Sequence, residues 1–273
     1  LAPSDRAVLH ARIERRFAAL KTEGRPGLVT FTMAGDPDYE TAKTIVLGLP
    51  KAGADVIEIG MPFSDPMADG TVNQEAAQRA LKNNVSLHDI VARVKHLRKH
   101  TQIPIVLFTY FNPVLAYGLE AFADDAADAG IDGVLCVDLP PEEAVEYKPL
   151  LDAKGVATIF LVAPTSSPKR VAMIAKNSTG FIYYVSRTGV TGERAALETD
   201  VNTAVERIRQ CTDKPIAVGF GISTPAQAAE VAGYADGVIV GSAIVRMIAT
   251  MGDSEDMPNT VGAFAASLAG AIK

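Results

Sequence analysis

At 273 residues, 48% hydrophobic and 21% charged, the chain has enough apolar material for a large core and does not read as disordered. Its length admits one barrel or two smaller domains. A net charge of −6 excludes a general electrostatic attraction to nucleic acid or an anionic membrane surface, so an anionic ligand needs a local site. Two cysteines, Cys136 and Cys211, suit neither a disulfide framework nor a metal spacing and fit a reducing cytosol. No run reaches the roughly 18 apolar residues of a membrane-spanning helix.

Asp5 to Lys21 mixes Arg, Glu and His through apolar positions and reads as an amphipathic helix. Short apolar strands then alternate with helical patterns at intervals of about 20 to 50 residues. The strands are Leu28 to Thr32, Val56 to Gly60, Ile105 to Thr109, Gly133 to Val137, Thr158 to Val162, Phe181 to Val185, Ile216 to Gly219 and Gly237 to Val240. Helical candidates between them are Tyr39 to Ala52, Leu87 to His100, Leu119 to Ala129, Glu142 to Lys154, Pro168 to Lys176, Val201 to Arg209 and Thr224 to Ala232, and Asn259 to Ile272 closes the chain with another helix. Eight βα units favour a closed (β/α)8 TIM barrel over an open doubly wound sheet, its main competitor. No Pro-rich or Ser-rich linker divides the chain, so one domain is expected over residues 1–273, with the amino-terminal helix on the barrel floor.

In a barrel, chemistry gathers at the carboxyl ends of the strands. Glu58 interrupts an apolar strand near that end, and Asp65 and Asp69 lie in the loop that follows. Burial disfavours a charged carboxyl, so Glu58 could both give and take a proton near neutrality. A structural buried acid beside two turn aspartates is an equally open reading of these residues alone. Asp138 and Arg187 follow the fourth and sixth strands on the same rim.

After the seventh strand comes Gly219-Phe220-Gly221-Ile222-Ser223, and after the eighth Gly241-Ser242-Ala243-Ile244, both leading into helices. Helix-start amides bind anions, and glycine lets the main chain approach them closely. Arg187 to Glu193, with Thr191 and Gly192, has the length of a lid. Any one of these loops reads as a tight turn, but three on adjacent strands point to a phosphorylated small molecule.

Carbon–carbon cleavage on a barrel usually needs a Schiff-base lysine or a metal as electron sink. No lysine ends a predicted strand, and His10, His88, His96 and His100 all fall in helical patterns. A substrate with its own electron sink, such as an indole ring, leaves the protein only proton transfers and dipoles to supply.

The motifs Ala34-Gly35-Asp36-Pro37, Pro62-Phe63-Ser64-Asp65-Pro66, Ala68-Asp69-Gly70 and Thr109-Tyr110-Phe111-Asn112-Pro113 stand in this order, followed by Asp138-Leu139-Pro140-Pro141, Ala163-Pro164-Thr165, Tyr183-Tyr184-Val185-Ser186, Gly189-Val190-Thr191-Gly192 and the two glycine turns above. Through them the chain resembles the tryptophan synthase alpha subunit family along nearly its whole length. The resemblance implies cleavage of indole-3-glycerol phosphate to indole and glyceraldehyde 3-phosphate. It matches Glu58 to the glutamate that protonates indole C3 and then helps remove the substrate hydroxyl proton, and Asp69 to the aspartate that binds the indole N–H. Glu58 is expected to be raised in pKa and Asp69, more solvated, to stay ionised. Tyr183 matches a residue lining the glycerol end, Phe31, Phe108, Leu135 and Leu161 are expected to wall the indole pocket with Thr191 beside the substrate, and Gly192, Gly221, Gly241 and Ser242 match phosphate-binding positions. Thr71 and Asn73 depart from the proline and aliphatic residue more common after Asp-Gly, and Met33 from a common threonine.

The resemblance also implies an αββα complex in which indole passes to a beta subunit holding pyridoxal phosphate, with no cofactor or metal in this chain. Pro62, Asp65, Pro66, Asn112, Pro113, Asp138 and Pro140 are the expected docking rim. A free-standing indole-3-glycerol phosphate lyase and a noncatalytic ligand-binding activator subunit are the alternatives.

Overall fold

The computed structural model describes residues 10–186, 194–219 and 221–273, with 10, 11 and 194–200 described by backbone alone. The strands are β1 (Gly27–Met33), β2 (Val56–Gly60), β3 (Ile105–Thr109), β4 (Gly133–Cys136), β5 (Ala157–Thr158), β6 (Leu161–Val162), β7 (Ile182–Val185), β8 (Ile216–Gly219) and β9 (Gly237–Val240). All pairs are parallel, in the order β5-β4-β3-β2-β1-β9-β8-β7-β6. The two ends of that order are one passage of chain, parted only by Ile159 and Phe160. β5 pairs with β4 and β6 with β7, so the fifth barrel strand closes the sheet in two segments. The expected (β/α)8 barrel is formed, and the division of Thr158 to Val162 is the one departure among its strands.

Around it lie α1 (His10–Glu23), α2 (Tyr39–Gly48), α3 (Thr71–Leu81), α4 (Leu87–Leu97), α5 (Phe111–Tyr117), α6 (Leu119–Ala129), α7 (Tyr147–Ala153), α8 (Pro168–Asn177), α9 (Arg194–Arg209), α10 (Pro225–Ala232), α11 (Ser242–Met251) and α12 (Met257–Ala271). Strand residues alternate between two apolar layers. Val29, Val56, Val106, Leu135 and Ile239 fill the interior, while Leu28, Ile57, Ile105, Val134 and Val238 face the helices. As expected, α1 covers the floor: Ile13, Phe17 and Leu20 recur at helical spacing, join the interior cluster, and bring the Phe17 ring 5.6 Å from that of Phe181. None of the helices among the described residues is long and apolar enough to cross a membrane.

Two further helices, α3 and α5, lie in segments for which the sequence pattern suggested no helix. In α3, Ala76, Ala77 and Ala80 present a small-residue face that packs on Phe31 and Met33 at the mouth. Thr71 takes the first helical position, which proline also suits, so its departure leaves the helix intact. The start of α5 is held from outside, by Asp138 Oδ1 accepting from the Phe111 N–H at 2.8 Å. The helix expected from Glu142 begins only at Tyr147, after a turn at Pro140 to Glu143.

Three aspartates brace the floor rim. Asp55 accepts from the Leu28 N–H at 2.7 Å, Asp132 from Ile105 at 2.8 Å and Asp236 from Ile216 at 2.9 Å, each joining the start of one strand to its neighbour. Arg16 and Arg25 pair with Asp55, Arg12 and Arg98 with Asp132, and Arg209 with Asp236.

Candidate active site at the barrel mouth

Within β2, Val56 belongs to the interior cluster while Ile57 and Ile59 face the helices, so Glu58 points into the barrel. It is fully buried, and neither carboxylate oxygen has a hydrogen-bond partner among the described residues. Burial without a counter-charge pushes its pKa up to about 8. Register sets Phe31 and Val106 on either side of it. The Phe31 ring lies across the barrel end of β2, where a Cβ on Gly60 would stand 2.5 Å from its tip, and it meets Phe108 edge-on at 5.3 Å.

Asp69 sits in the loop leading to α3 and is half-buried. Tyr110, just past β3, donates its hydroxyl to Asp69 Oδ2 at 2.8 Å and accepts from the Ala68 N–H at 3.0 Å, while its ring lies 5.0 Å from Phe63. Gln74 donates to the Asp69 carbonyl at 2.8 Å. Burial raises the Asp69 pKa, opposed by the side chains of Tyr110 and Asn73. Burial thus raises both carboxyls, but Asp69 is the less buried of the two and, among the described residues, only Asp69 has side-chain partners that hold the rise back. Asp65 is an exposed turn residue that accepts from Ser64.

Tyr183 ties the two acids to the glycine turns. Its own pKa is raised well above the usual phenol value by burial and then by the charges of Glu58 and Asp69. Its hydroxyl reaches Gly219, where a Cβ would stand 3.0 Å from it. Among the other expected walls, Phe31 and Leu135 are buried, and Phe108 and Leu161 line the interior with partial exposure. Met33 seals the same end, its sulfur 3.2 Å from where a Gly60 Cβ would lie.

The two glycine turns differ. Gly241 precedes α11 and, among the described residues, no side chain caps its first-turn amides. A Cβ on Gly241 would lie 3.2 Å from that of Phe31, which places this helix start beside the strand that flanks Glu58. The helix after β8, in contrast, is capped from within: Thr224 Oγ1 accepts from Gln227, and Gln227 Oε1 accepts from the Ser223 N–H. Of the amides around this second helix start, those of Ser223 and Gln227 are therefore taken by its own side chains. Gly221 contributes instead a turn at φ +80°, a conformation that favours glycine. Thr191 and Gly192, with the rest of Arg187 to Glu193, lie outside the described residues, as does Phe220.

Two residues at this site carried no assigned role in the sequence reading, Tyr110 and Gln74. Tyr110 stands directly after a barrel strand, a position that marks it; Gln74 lies on the unexpected helix α3. A separate cavity of 390 Å³ lies outside the sheet between α2 and α4, walled by Tyr39, Val46, Ile59, Ile90 and Arg93, and none of the acids above borders it.

The profile of the tryptophan synthase alpha chain family matches residues 17–273. The tryptophan synthase alpha chain of Geobacter sp. strain M21 is 52% identical over 96% of this chain and 98% of that protein, and that of Caulobacter sp. strain K31 is 50% identical over 96% of each. Among solved structures, the tryptophan synthase subunit alpha of Legionella pneumophila superposes with a TM-score of 0.88 at 37% identity, covering 96% of this chain and 98% of that one. A chain of Mycobacterium tuberculosis tryptophan synthase gives 0.87 at 37% identity, with the same coverage. With matches of this extent, and with acids and an open helix start at one barrel mouth, the chain belongs to the tryptophan synthase alpha chain family.

Proposed function

We propose that Glu58 and Asp69 divide the cleavage of indole-3-glycerol phosphate between them, Glu58 moving protons and Asp69 holding the ring. As a member of the tryptophan synthase alpha chain family the protein is a carbon–carbon lyase. Protonation of indole C3 turns the ring nitrogen into an iminium. Removal of the adjacent side-chain hydroxyl proton then forms the aldehyde, breaks the bond to C3 and returns that electron pair to the ring. A buried carboxyl with a pKa of about 8 is protonated at neutral pH and can give the first proton, then take the second. A carboxylate at the ring nitrogen gains interaction as positive charge develops there, so it lowers the barrier and not only the binding energy. The phosphate lies by this reading at the amides of Gly241 and Ser242 and the turn at Gly221, with Gly192 and Thr191 from the sixth loop, and Tyr183 spans the glycerol between the two ends.

The observation that carries this reading is the Glu58 carboxyl itself, fully buried with both oxygens unpartnered among the described residues, where its charge is sensed by Tyr183. Glu58→Gln is expected to lower cleavage by about 10³-fold while leaving glyceraldehyde 3-phosphate binding within about twofold. Unchanged turnover would refute the proton-transfer role. Asp69→Asn is expected to lower turnover by about 10²-fold, and a harmless exchange would reduce it to a turn residue.

The partner is a tryptophan synthase beta subunit. Among the described residues the large apolar side chains left exposed are Met67, Leu115 and Val145, which fall on the segments after β2, β3 and β4. We place the docking face there, around Asp65, Pro66, Asn112, Pro113, Asp138 and Pro140, and this patch favours the complex over a free-standing lyase. Pro62 is buried and shapes that face from beneath, while the exposed Asp138 also holds the start of α5. Pyridoxal phosphate belongs to the beta subunit, and we assign no cofactor to this chain. A cytoplasmic setting suits the unpaired Cys136 and Cys211.

A further inference from the structure

We propose that Asn73 is a second ring-holding residue, steadying Asp69 through its amide NH2 and accepting part of the substrate ring N–H through its amide oxygen; this rests on the assignment of Asp69 above. The resemblance leads to an aliphatic side chain at this position, so a purely packing role needs no amide here.

Asn73 is the third residue of α3, and its N–H donates to the Gly70 carbonyl at 3.0 Å, closing the first turn directly after Asp69. The Asn73 side chain is within hydrogen-bonding reach of the Asp69 carboxylate. An ionised carboxylate only accepts, so the amide presents its NH2 to Asp69 and its oxygen to the far side. That oxygen is buried and has no partner among the described residues. An unsatisfied buried amide oxygen normally costs about 1–3 kcal/mol, and a native structure that keeps one beside a functional acid points to a ligand donor that completes it.

The substrate's donors are its ring N–H and its hydroxyls, and the hydroxyl that ionises belongs at Glu58. The ring N–H is the donor that Asp69 draws to this corner. The packing of α3 agrees, since the neighbouring Val72 contacts the Phe31 and Met33 cluster that Phe108 also joins. Once C3 is protonated the N–H carries positive charge, so a fixed carbonyl dipole there acts mainly on the transition state.

The test uses the complex with its beta subunit and four proteins: wild type, Asn73→Leu, Asp69→Asn and the double variant, with Asn73→Ala replacing Leu should that variant fold poorly. Expected are a fall of about tenfold in kcat with KM changed by less than about threefold, an undiminished melting temperature, and no added loss when Asn73→Leu is placed in the Asp69→Asn background. An unchanged kcat would overturn the inference. So would an equal tenfold loss in both backgrounds, which marks a structural effect independent of Asp69. A harmless Asp69→Asn would instead bring down the assignment on which the inference stands.

Discussion

Buried acids stand at both ends of this barrel, and they are treated in opposite ways. At the floor, the Asp132 side chain has no solvent exposure and is met by Arg98, Arg12 and the Ile105 amide. Burial still raises its pKa, but those three partners all work against the rise. At the mouth, Glu58 is as deeply buried, and among the described residues nothing opposes its rise to about 8. The difference separates a bracing acid from a reacting one: burial is shared, and the presence of partners decides which state the carboxyl holds. Asp69 lies between the two, with neutral donors from Tyr110 and Asn73 but no cation among the described residues.

The largest stability effect that would break this comparison is at Glu58. Its folded pKa exceeds its unfolded value of 4.5, so the folded protein binds one proton more than the unfolded chain between about pH 4.5 and 8. Folding stability should therefore decline as pH rises through that window, by on the order of a few kcal/mol, and level off above it. Glu58→Gln should remove that decline. Denaturant midpoints of both proteins at pH 4.5, 6, 7 and 8.5 measure the divergence, and parallel curves would mean that Glu58 has a partner and an ordinary pKa. At the floor, Asp132→Ala should destabilise by about 3–5 kcal/mol, because Arg98 and Arg12 are left as uncompensated charges. Cleavage per folded molecule should not change, since the opposite rim carries the chemistry. A loss of turnover without a loss of stability would erase the distinction between the two ends.

The strands and the acids were legible from the residues because a buried parallel strand is a continuous apolar run, and one Glu within such a run has no packing reason to be there. The floor aspartates were not. Asp55, Asp132 and Asp236 each precede a strand, but their partners lie 39, 120 and 27 residues away in chain order at Arg16, Arg12 and Arg209, and only barrel closure brings them together. The helix α3 escaped for a related reason: its apolar face is three alanines, too weak a pattern until Phe31 and Met33 arrive from β1. Equivalence of the two glycine turns was also misleading, since the cap of α10 depends on Thr224 and Gln227 beyond the glycines.

The smallest effect sharpens the intermediate case, Asp69. Tyr110→Phe keeps the ring against Phe63 but removes the donor to Asp69 Oδ2 and the acceptor of the Ala68 N–H. The hydroxyl opposes the burial that raises the Asp69 pKa, so its loss should raise that pKa further. If the ionised carboxylate holds the ring, activity in the variant should be lost at a higher pH than in wild type as the solution is acidified. Glu58 and Tyr183 face the same site but keep their surroundings, so the alkaline limb set by Glu58 should stay in place. At neutral pH, kcat/KM should fall by about tenfold, in line with one hydrogen bond to a charged group. A pH profile that drops uniformly, with its acid limb unmoved, would show that Tyr110 holds the loop's shape and leaves the ionisation of Asp69 to the other groups around it.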